Sequence, residues 1–345
     1  MAARNPKRRH SVMAPAPSAQ PADGQAVTHA LVEAATNGGY APSIHNTQPW
    51  RWRIAGKSLD LYAERRRTLD VVDPDTRLAI LSCGAALHHA RVSLAAQGWH
   101  AVVTRMPDPG DRTYLAQPRV DERTAVESSA MHHLRTITLR HTDRRPVSGA
   151  RPAADVLKAL SASVEAEDSW LHILNPDQVL DLATAAEQAQ RIENEDSAWK
   201  RELAYWTGGT RPDGTGIPDD TIPDRVAETT VPGRDFGHAG DLPISSGHDK
   251  TAAFALLYGR TDGPASWLRA GEALSAAWLT ATEQDISVLP LSAPIEVVST
   301  RQTLRAMIAN IGYPFLILRL GTVDPADAGP PHAPRLPAAQ TIERS

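Results

Sequence analysis

Apolar residues recur at helical spacing from Val27 through Leu31, Ala34 and Ala35, and the pattern stops at Gly38 and Gly39. A helix over 27–38 satisfies both signals. Two alternating runs follow, 50–54 and 59–63, divided by Gly56, Lys57 and Ser58. A period of two on either side of a turn predicts a half-buried hairpin. The pattern then predicts a long helix over 77–97, closed by Gly98, strands over 99–106 and 114–120, and a helix over 125–139. Helices over 153–164 and 177–192 flank a strand at 170–173. The runs 251–258 and 313–320 are almost continuously apolar, as in strands covered on both faces. Helices over 266–282 and 294–311 lie between them. The sum is an α+β protein with long helices packed on a sheet.

Three stretches do not fit this pattern. Residues 194–247 are rich in Gly, Pro, Asp and Thr, with Trp199, Tyr205 and Trp206 near their start. A long irregular segment inside a compact protein is more often a lid or binding loop than a void. Residues 1–26, which carry Arg4, Lys7, Arg8 and Arg9 before a Pro/Ala/Ser stretch, read as a disordered basic tail. The chain after Gly321 is Pro-rich, and 338–345 reads as a second tail.

Size and charge narrow the possibilities. The 345 residues suffice for a large core, and 41% hydrophobic and 22% charged residues match ordinary globular proteins. A net charge of −4 offers no field for nucleic acid or anionic lipid. No apolar run approaches the length that spans a bilayer, and no apolar stretch follows the N-terminal charges, so neither membrane contact nor secretion is expected. The single cysteine, Cys83, cannot form an internal disulfide or a zinc cage, which suits a reducing compartment, the cytoplasm. Its small-residue helical surroundings predict a buried, inert thiol.

Two segments could carry chemistry. The first is Pro42-Ser43-Ile44-His45-Asn46-Thr47-Gln48-Pro49-Trp50, which crowds amide, hydroxyl and imidazole groups between two prolines. Such a fan could recognise a flat heteroaromatic ring, or it could be a polar turn that caps its own backbone. The second is Arg140-His141-Thr142-Asp143-Arg144-Arg145. Guanidinium groups bind phosphate bidentately, yet a solvated charge cluster has the same composition. Other sites are absent. The glycines at 208, 209, 214 and 216 miss the G-x-G-x-x-G spacing, and there is neither a P-loop nor a G-x-S-x-G elbow. His88-His89 and His132-His133 are adjacent pairs, which cannot chelate from one helix face and read as surface or interface residues. The tryptophans read as packing, Trp206 being the one that could serve as a stacking platform.

Together the two segments carry a resemblance. Pro42-Ser43-x-x-Asn46-x-Gln48-Pro49-Trp50 resembles the flavin-loop motif of the nitroreductase family. Arg140-His141-Thr142-x-Arg144 is similar to that family's Arg-x-Ser-x-Arg/Lys motif for phosphate and ribityl. In ordinary members the arginine motif comes first and the flavin lies at a homodimer interface. Here the order is reversed, as in the Acg subfamily of actinobacteria, in which two nitroreductase-like halves are fused. Gly216-Ile217-Pro218, Thr261-Asp262-Gly263, Gly312-Tyr313-Pro314 and Ala333-Pro334-Arg335 are similar to recurring segments of that subfamily. Ala293, Phe315 and Leu336 depart from it: relatives often have Gln at the first two places and a second arginine at the third.

The resemblance implies a nitroreductase-like fold of mixed sheets flanked by long helices. One half would span 27–135 and the other 136–337, with a lid-like insertion at about 194–247. It implies FMN, with Arg140, His141, Thr142 and Arg144 at the phosphate and ribityl end and Arg335 reaching the phosphate. Pro42, Ser43, Asn46 and Gln48 would face the ring and ribityl, and the backbone near Leu291 and Ser292 would lie by the flavin N5 edge. No side chain need act as an acid or base. The implied activity is hydride transfer from NADH or NADPH through FMN to a nitroaromatic, quinone or unsaturated small molecule. The alternative is storage or sequestration of FMN beneath a lid. One chain could complete one site, and a dimer is left open.

Overall fold

Two sheets, one mixed and one antiparallel, are built on opposite sides of a pair of apolar helices that cross at glycines. The computed structural model describes residues 21–209, 211, 213–244, 247–322 and 332–344. Helix α1 (Pro21–Gly38) leads into the hairpin β1 (Trp50–Ala55) and β2 (Ser58–Ala63). Helix α2 (Arg77–Ala96), strands β3 (Trp99–Arg105) and β4 (Tyr114–Arg123), and helix α3 (Ser128–Leu139) follow. Next come α4 (Ala154–Glu165), β5 (Trp170–Ile173), α5 (Pro176–Glu195) and α6 (Ser197–Trp206). The chain continues through β6 (Ala253–Gly259), α7 (Pro264–Glu283), β7 (Ser287–Leu291), α8 (Ala293–Glu296), α9 (Val298–Met307) and β8 (Tyr313–Gly321). It ends in α10 (Ala338–Thr341) and β9 (Ile342–Arg344).

The first sheet has the order β3-β4-β2-β1-β9 and the second β5-β6-β8-β7. The hairpin forms as its alternation predicts, with Trp50 opposite Ala63 and Ala55 opposite Ser58. Its inward residues Trp50, Trp52 and Ile54 are buried with Leu59 and Leu61. Strands β6 and β8 lie in the middle of the second sheet and are covered on both faces, which accounts for their unbroken apolar runs. The sheets contain the α+β fold the pattern predicts.

Helix α2 is long and apolar enough to cross a membrane by length and composition, contrary to the expectation that no segment is. In the fold, 89% of its apolar window is buried, because α1 and α7 pack along it. Gly84 of α2 faces Gly271 of α7. A Cβ on Gly84 would lie 3.0 Å from the Gly271 Cα and would collide with the Leu268 backbone. Hydrogen at both positions lets α2 and α7 meet backbone to backbone.

Several boundaries differ from expectation. Helix α1 begins at Pro21, so 21–26 are helical rather than part of a disordered tail, while 1–20 lie outside the described residues. Residues 197–206, placed in the irregular segment, form α6, capped by Asp196 through Ala198 N and Trp199 N. The helix predicted over 294–311 is two helices, because Val297 is extended (φ −82°, ψ 127°). Strand β7 carries no continuous apolar pattern, because Ser287 and Pro290 interrupt it. Of the segment 338–345 read as a tail, 338–344 are ordered: Ile342 pairs with Trp52 in a parallel bridge and carries the chain back to the first sheet, while Ser345 lies outside the described residues. Three residues are too few to show periodicity.

Candidate functional site

The loop from Ala41 to Pro49 is backbone under strain. His45, Asn46 and Gln48 all have positive φ, at 45°, 54° and 50°. Non-glycine residues hold that region only where neighbours over-determine it. The pins are visible. Ser43 Oγ accepts from Gln48 N at 3.0 Å, and Ser82 Oγ of α2 accepts from Ile44 N at 3.1 Å. Asn46 Nδ2 donates to Gly216 O at 2.9 Å and Pro334 O at 3.0 Å. Gln48 Nε2 donates to Gly214 O at 2.8 Å, and its Oε1 accepts from Leu336 N at 2.9 Å. Gly214 and Gly216 themselves have positive φ, and a Cβ on Gly214 would press on the Arg335 backbone. Three distant stretches are thus laced together at one loop.

The arginine segment is fixed differently. Asp143 is buried and chelates its neighbour Arg145, with Nε at 3.0 Å and Nη2 at 2.8 Å. Arg319 of β8 donates to the carbonyls of Asp143 and Arg145, at 2.9 and 2.5 Å, and pairs with Asp249 at 3.0 Å. Asp249 in turn accepts from Val147 N at 2.6 Å. Arg319 and Asp249 were not foreseen; a lone arginine within an apolar strand was the only available hint.

Both segments face one cavity of about 610 Å³, within the range of small-molecule and cofactor sites. Pro42, Ser43, Asn46, Arg140, His141, Thr142, Arg144, Leu291, Ser292 and Arg335 all line it. Gln48 does not: its amide is turned back onto Gly214 and Leu336. Asn46 lines the wall, but its amide nitrogen is spent on backbone carbonyls. The polar-turn reading therefore describes Ser43, Asn46 and Gln48 better than a donor fan does. Two buried polar groups of the loop lack a partner among the described residues, His45 Nε2 and Thr47 Oγ1, and of the two His45 lines the cavity. Its pKa lies well below the ordinary imidazole value, first by burial and then through Arg234 and Arg144, so the ring is neutral.

At one end the cavity is basic. Arg140 is buried, 3% exposed, with its Nε unpartnered. Its only hydrogen bond among the described residues goes to Tyr40 O at 3.2 Å, and its guanidinium lies 4.6 Å from the Trp278 ring centre. Arg335 reaches Asn46 Oδ1 at 3.1 Å, and its Nε is unpartnered as well. Among the described residues, neither forms a salt bridge. Burial, then the proximity of Arg335, lowers Arg140 to about 9, and burial lowers Arg335 to about 10. His332 stacks edge-on against His141 at 5.6 Å. Arg144 donates to Thr221 O at 3.1 Å, and burial lowers it to about 10. Two unpaired guanidinium groups with idle N–H donors are what a phosphate requires.

Leu78, Leu81, Leu274, Trp278, Leu289 and Leu316 give an apolar wall, and Gln190, Glu193, Arg225, Arg234 and Asp235 line the cavity as well. The irregular segment covers it: residues 217–239 contribute Ile217, Ile222, Val231 and Phe236, among others. Its ends are tied at Pro223 and Leu242, where Asp224 N and Gly240 N close a loop. Arg234 fastens its middle to Glu193 of α5 and Glu296 of α8. This acid–base triad had no sequence signature, since its members are 41 and 62 residues apart. Trp206 is not a platform for a ring; it packs on Leu69 and Val72, away from the cavity. His88 lies at the α2–α7 interface, 2.8 Å from Ser275 Oγ. Of the three departures, Ala293 lines the cavity, Phe315 is buried in the second core, and Leu336 supplies only its N–H.

No protein-family model matches the chain. Relatives do. A Mycobacterium tuberculosis protein provisionally named NAD(P)H nitroreductase Rv3131 is 39% identical over 317 residues, 88% of either chain. The protein of the same organism provisionally named NAD(P)H nitroreductase Acg is 33% identical over 303 residues, covering 86% of this chain and 90% of its own. Among solved structures, an FMN-bound nitroreductase from Desulfitobacterium hafniense superposes with a TM-score of 0.37 at 12% identity, over 59% of this chain and 94% of its own. That superposition is too loose to match residues. The identity to Rv3131 and Acg, over 88% and 86% of this chain, is not: the chain belongs to the nitroreductase family, in the group of Acg and Rv3131.

Proposed function

We propose that the chain is a nitroreductase-type oxidoreductase that binds FMN in this cavity. NADH or NADPH would be the reductant, and a nitroaromatic, quinone or unsaturated small molecule the acceptor. The observation that carries the reading is Arg140, a buried cation with an idle N–H and no carboxylate partner among the described residues. Burying such a group is costly unless an anion answers it. Arg140, Arg335 and Thr142 would hold the phosphate, with His141 and Arg144 beside them. Pro42, Ser43 and His45 would border the ribityl and ring, and the backbone at Leu291 and Ser292 would meet the reactive edge. When bound, FMN supplies the hydride-accepting and hydride-donating ring. The protein contributes orientation, a dry apolar wall and positive charge that favours the reduced, anionic ring. A single chain would complete one site, in the cytoplasm.

One observation favours a second reading, storage of FMN without turnover. Residues 217–239 line the cavity, and Arg234 clamps them down. Anaerobic mixing of the flavin-loaded protein with NADH and NADPH separates the two. Rapid bleaching supports the oxidoreductase. A colour that persists, and bleaches only after residues 225–239 are excised between the paired ends at 224 and 240, supports storage. Protein that takes up no FMN contradicts both.

A further inference from the structure

Two carboxylates share one guanidinium at the edge of the cavity. Arg234 Nη1 donates to Glu193 Oε2 at 3.0 Å, and Nη2 donates to Glu296 Oε1 at 2.5 Å and lies 3.4 Å from Ser292 Oγ. All three side chains are nine-tenths or more buried. The remaining oxygens, Glu193 Oε1 and Glu296 Oε2, are buried and receive no donor among the described residues. The two carboxyls sit on the two ends of one guanidinium, close enough for Glu296 to raise Glu193.

Fully ionised, this triad would carry a buried charge of −1 and two unsatisfied acceptors. One proton between the carboxyls removes both penalties, as in other close carboxyl pairs. Across the cavity His45 is neutral and Arg144 is engaged with Thr221. Behind Glu296 a small pocket holds Asp73, itself an acid, with Arg77 and Arg301, whose bonds go to Asp262 and to Ile295 O rather than to either glutamate. Burial, then Glu296 against the pull of Arg234, pushes Glu193 above the ordinary carboxylate range.

We propose that Glu193, held against Glu296 on one guanidinium, keeps a proton at neutral pH and, lining the cavity, delivers it to the acceptor. This rests on the proposed oxidoreductase function. A quinone that has received a hydride equivalent, with NADH or NADPH as its ultimate donor, is a hydroquinone monoanion. The O–H bond of Glu193 breaks and an O–H bond forms on the quinone oxygen. The pair is left as two carboxylates on Arg234, and water returns the proton. Glu193 is thus a catalytic acid, and Glu296 a positioning residue that stores the proton with it.

Infrared spectroscopy of the protein at pH 7, in light and heavy water, tests the stored proton without turnover. The wild type is expected to show a carboxylic-acid carbonyl band that shifts in heavy water. Asp73, which burial raises to about 7, also carries a proton part of the time at this pH, so the spectra are compared in the Asp73→Asn background. That background should keep the band, and adding Glu193→Gln or Glu296→Gln should remove it, since the remaining carboxylate pairs fully with Arg234. A band that is missing from Asp73→Asn, or that survives in both of its glutamine derivatives, overturns the proposal. FMN titration of the wild type, expected to show binding, separates this failure from failure of the flavin site. Quinone reduction by the wild type should fall at alkaline pH. In Glu193→Gln it should be at least tenfold slower, pH-independent and rescued by a small carboxylic acid; an unchanged rate and profile would count against the proposal.

Discussion

Asn46 Oδ1 accepts a hydrogen bond from Arg335 Nη1 at 3.1 Å, joining residues 289 positions apart. The contact ties a loop of the first half to the returning C-terminal segment at the basic end of the cavity. Because Asn46 also holds Gly216 and Pro334, it fixes where Arg335 points. Asn46→Ala is expected to weaken FMN binding through Arg335 rather than through the ring. Riboflavin, which lacks the phosphate, should bind the variant as it binds the wild type in equilibrium dialysis. Equal weakening of both ligands would show that Asn46 acts on the ring.

Arg140 sets function against stability. Arg140→Met removes a charge-assisted hydrogen-bond donor, worth ~1.5–3 kcal/mol, or roughly tenfold to a hundredfold in FMN affinity. The same change replaces a buried, unpaired cation by an apolar chain of similar reach. The flavin-free variant should therefore melt at or above the wild-type temperature, by ~2 °C. A lower melting temperature would mean that its contact with Trp278 outweighs its desolvation.

The helix crossing is the most sensitive packing site. Gly84→Ala places a methyl group against the Leu268 backbone and the Gly271 Cα, neither of which can rotate away. Overpacking of this kind costs ~1–3 kcal/mol. The denaturant midpoint of Gly84→Ala should fall, and an unchanged midpoint would show that α2 and α7 can separate freely.

Stability should peak near the ordinary histidine pKa. Burial holds His45 and His88 well below 6.5 and His89 at about 3. These groups add stability that is present above 6.5 and lost as pH falls through their folded values. Asp73 is the reverse case: burial raises it from 3.8 to about 7, although Ala79 N donates to it. Glu193 is raised as well. Their stabilisation is complete below the unfolded carboxylate values and is lost as pH rises through the folded ones. Melting temperature should thus decline from pH 6.5 past 7 and on through the raised value of Glu193, and Asp73→Asn should flatten the first part. A melting temperature that climbs throughout this range would contradict the assignment.

Much of this was legible in the sequence for a physical reason. Period-two and period-3.6 patterns report burial against a neighbour, so the β1–β2 hairpin, α2, β5 and α7 announced themselves. The two motif segments were legible as reservoirs of polar groups. The direction each side chain takes was not. Gln48 turns to Leu336 N, and His45 faces the cavity, because three positive-φ residues rotate the loop. Nor does composition reveal groups that meet only through the fold: Arg319 with Asp249, or Arg234 with Glu193 and Glu296. Strand β9 is too short to carry a period and exists because Trp52 has a vacant edge beside it.

The central claim is that the basic end of the cavity grips a phosphate while the apolar walls take a ring. Calorimetric titration of the flavin-free protein with FMN and with riboflavin tests it most directly, in the wild type and in Arg140→Met combined with Arg335→Met. The account predicts that the wild type binds FMN at least a hundredfold more tightly than riboflavin, and that the double variant loses this preference while keeping its riboflavin affinity. Equal binding of the two by the wild type, or an FMN preference that survives in the double variant, would contradict it.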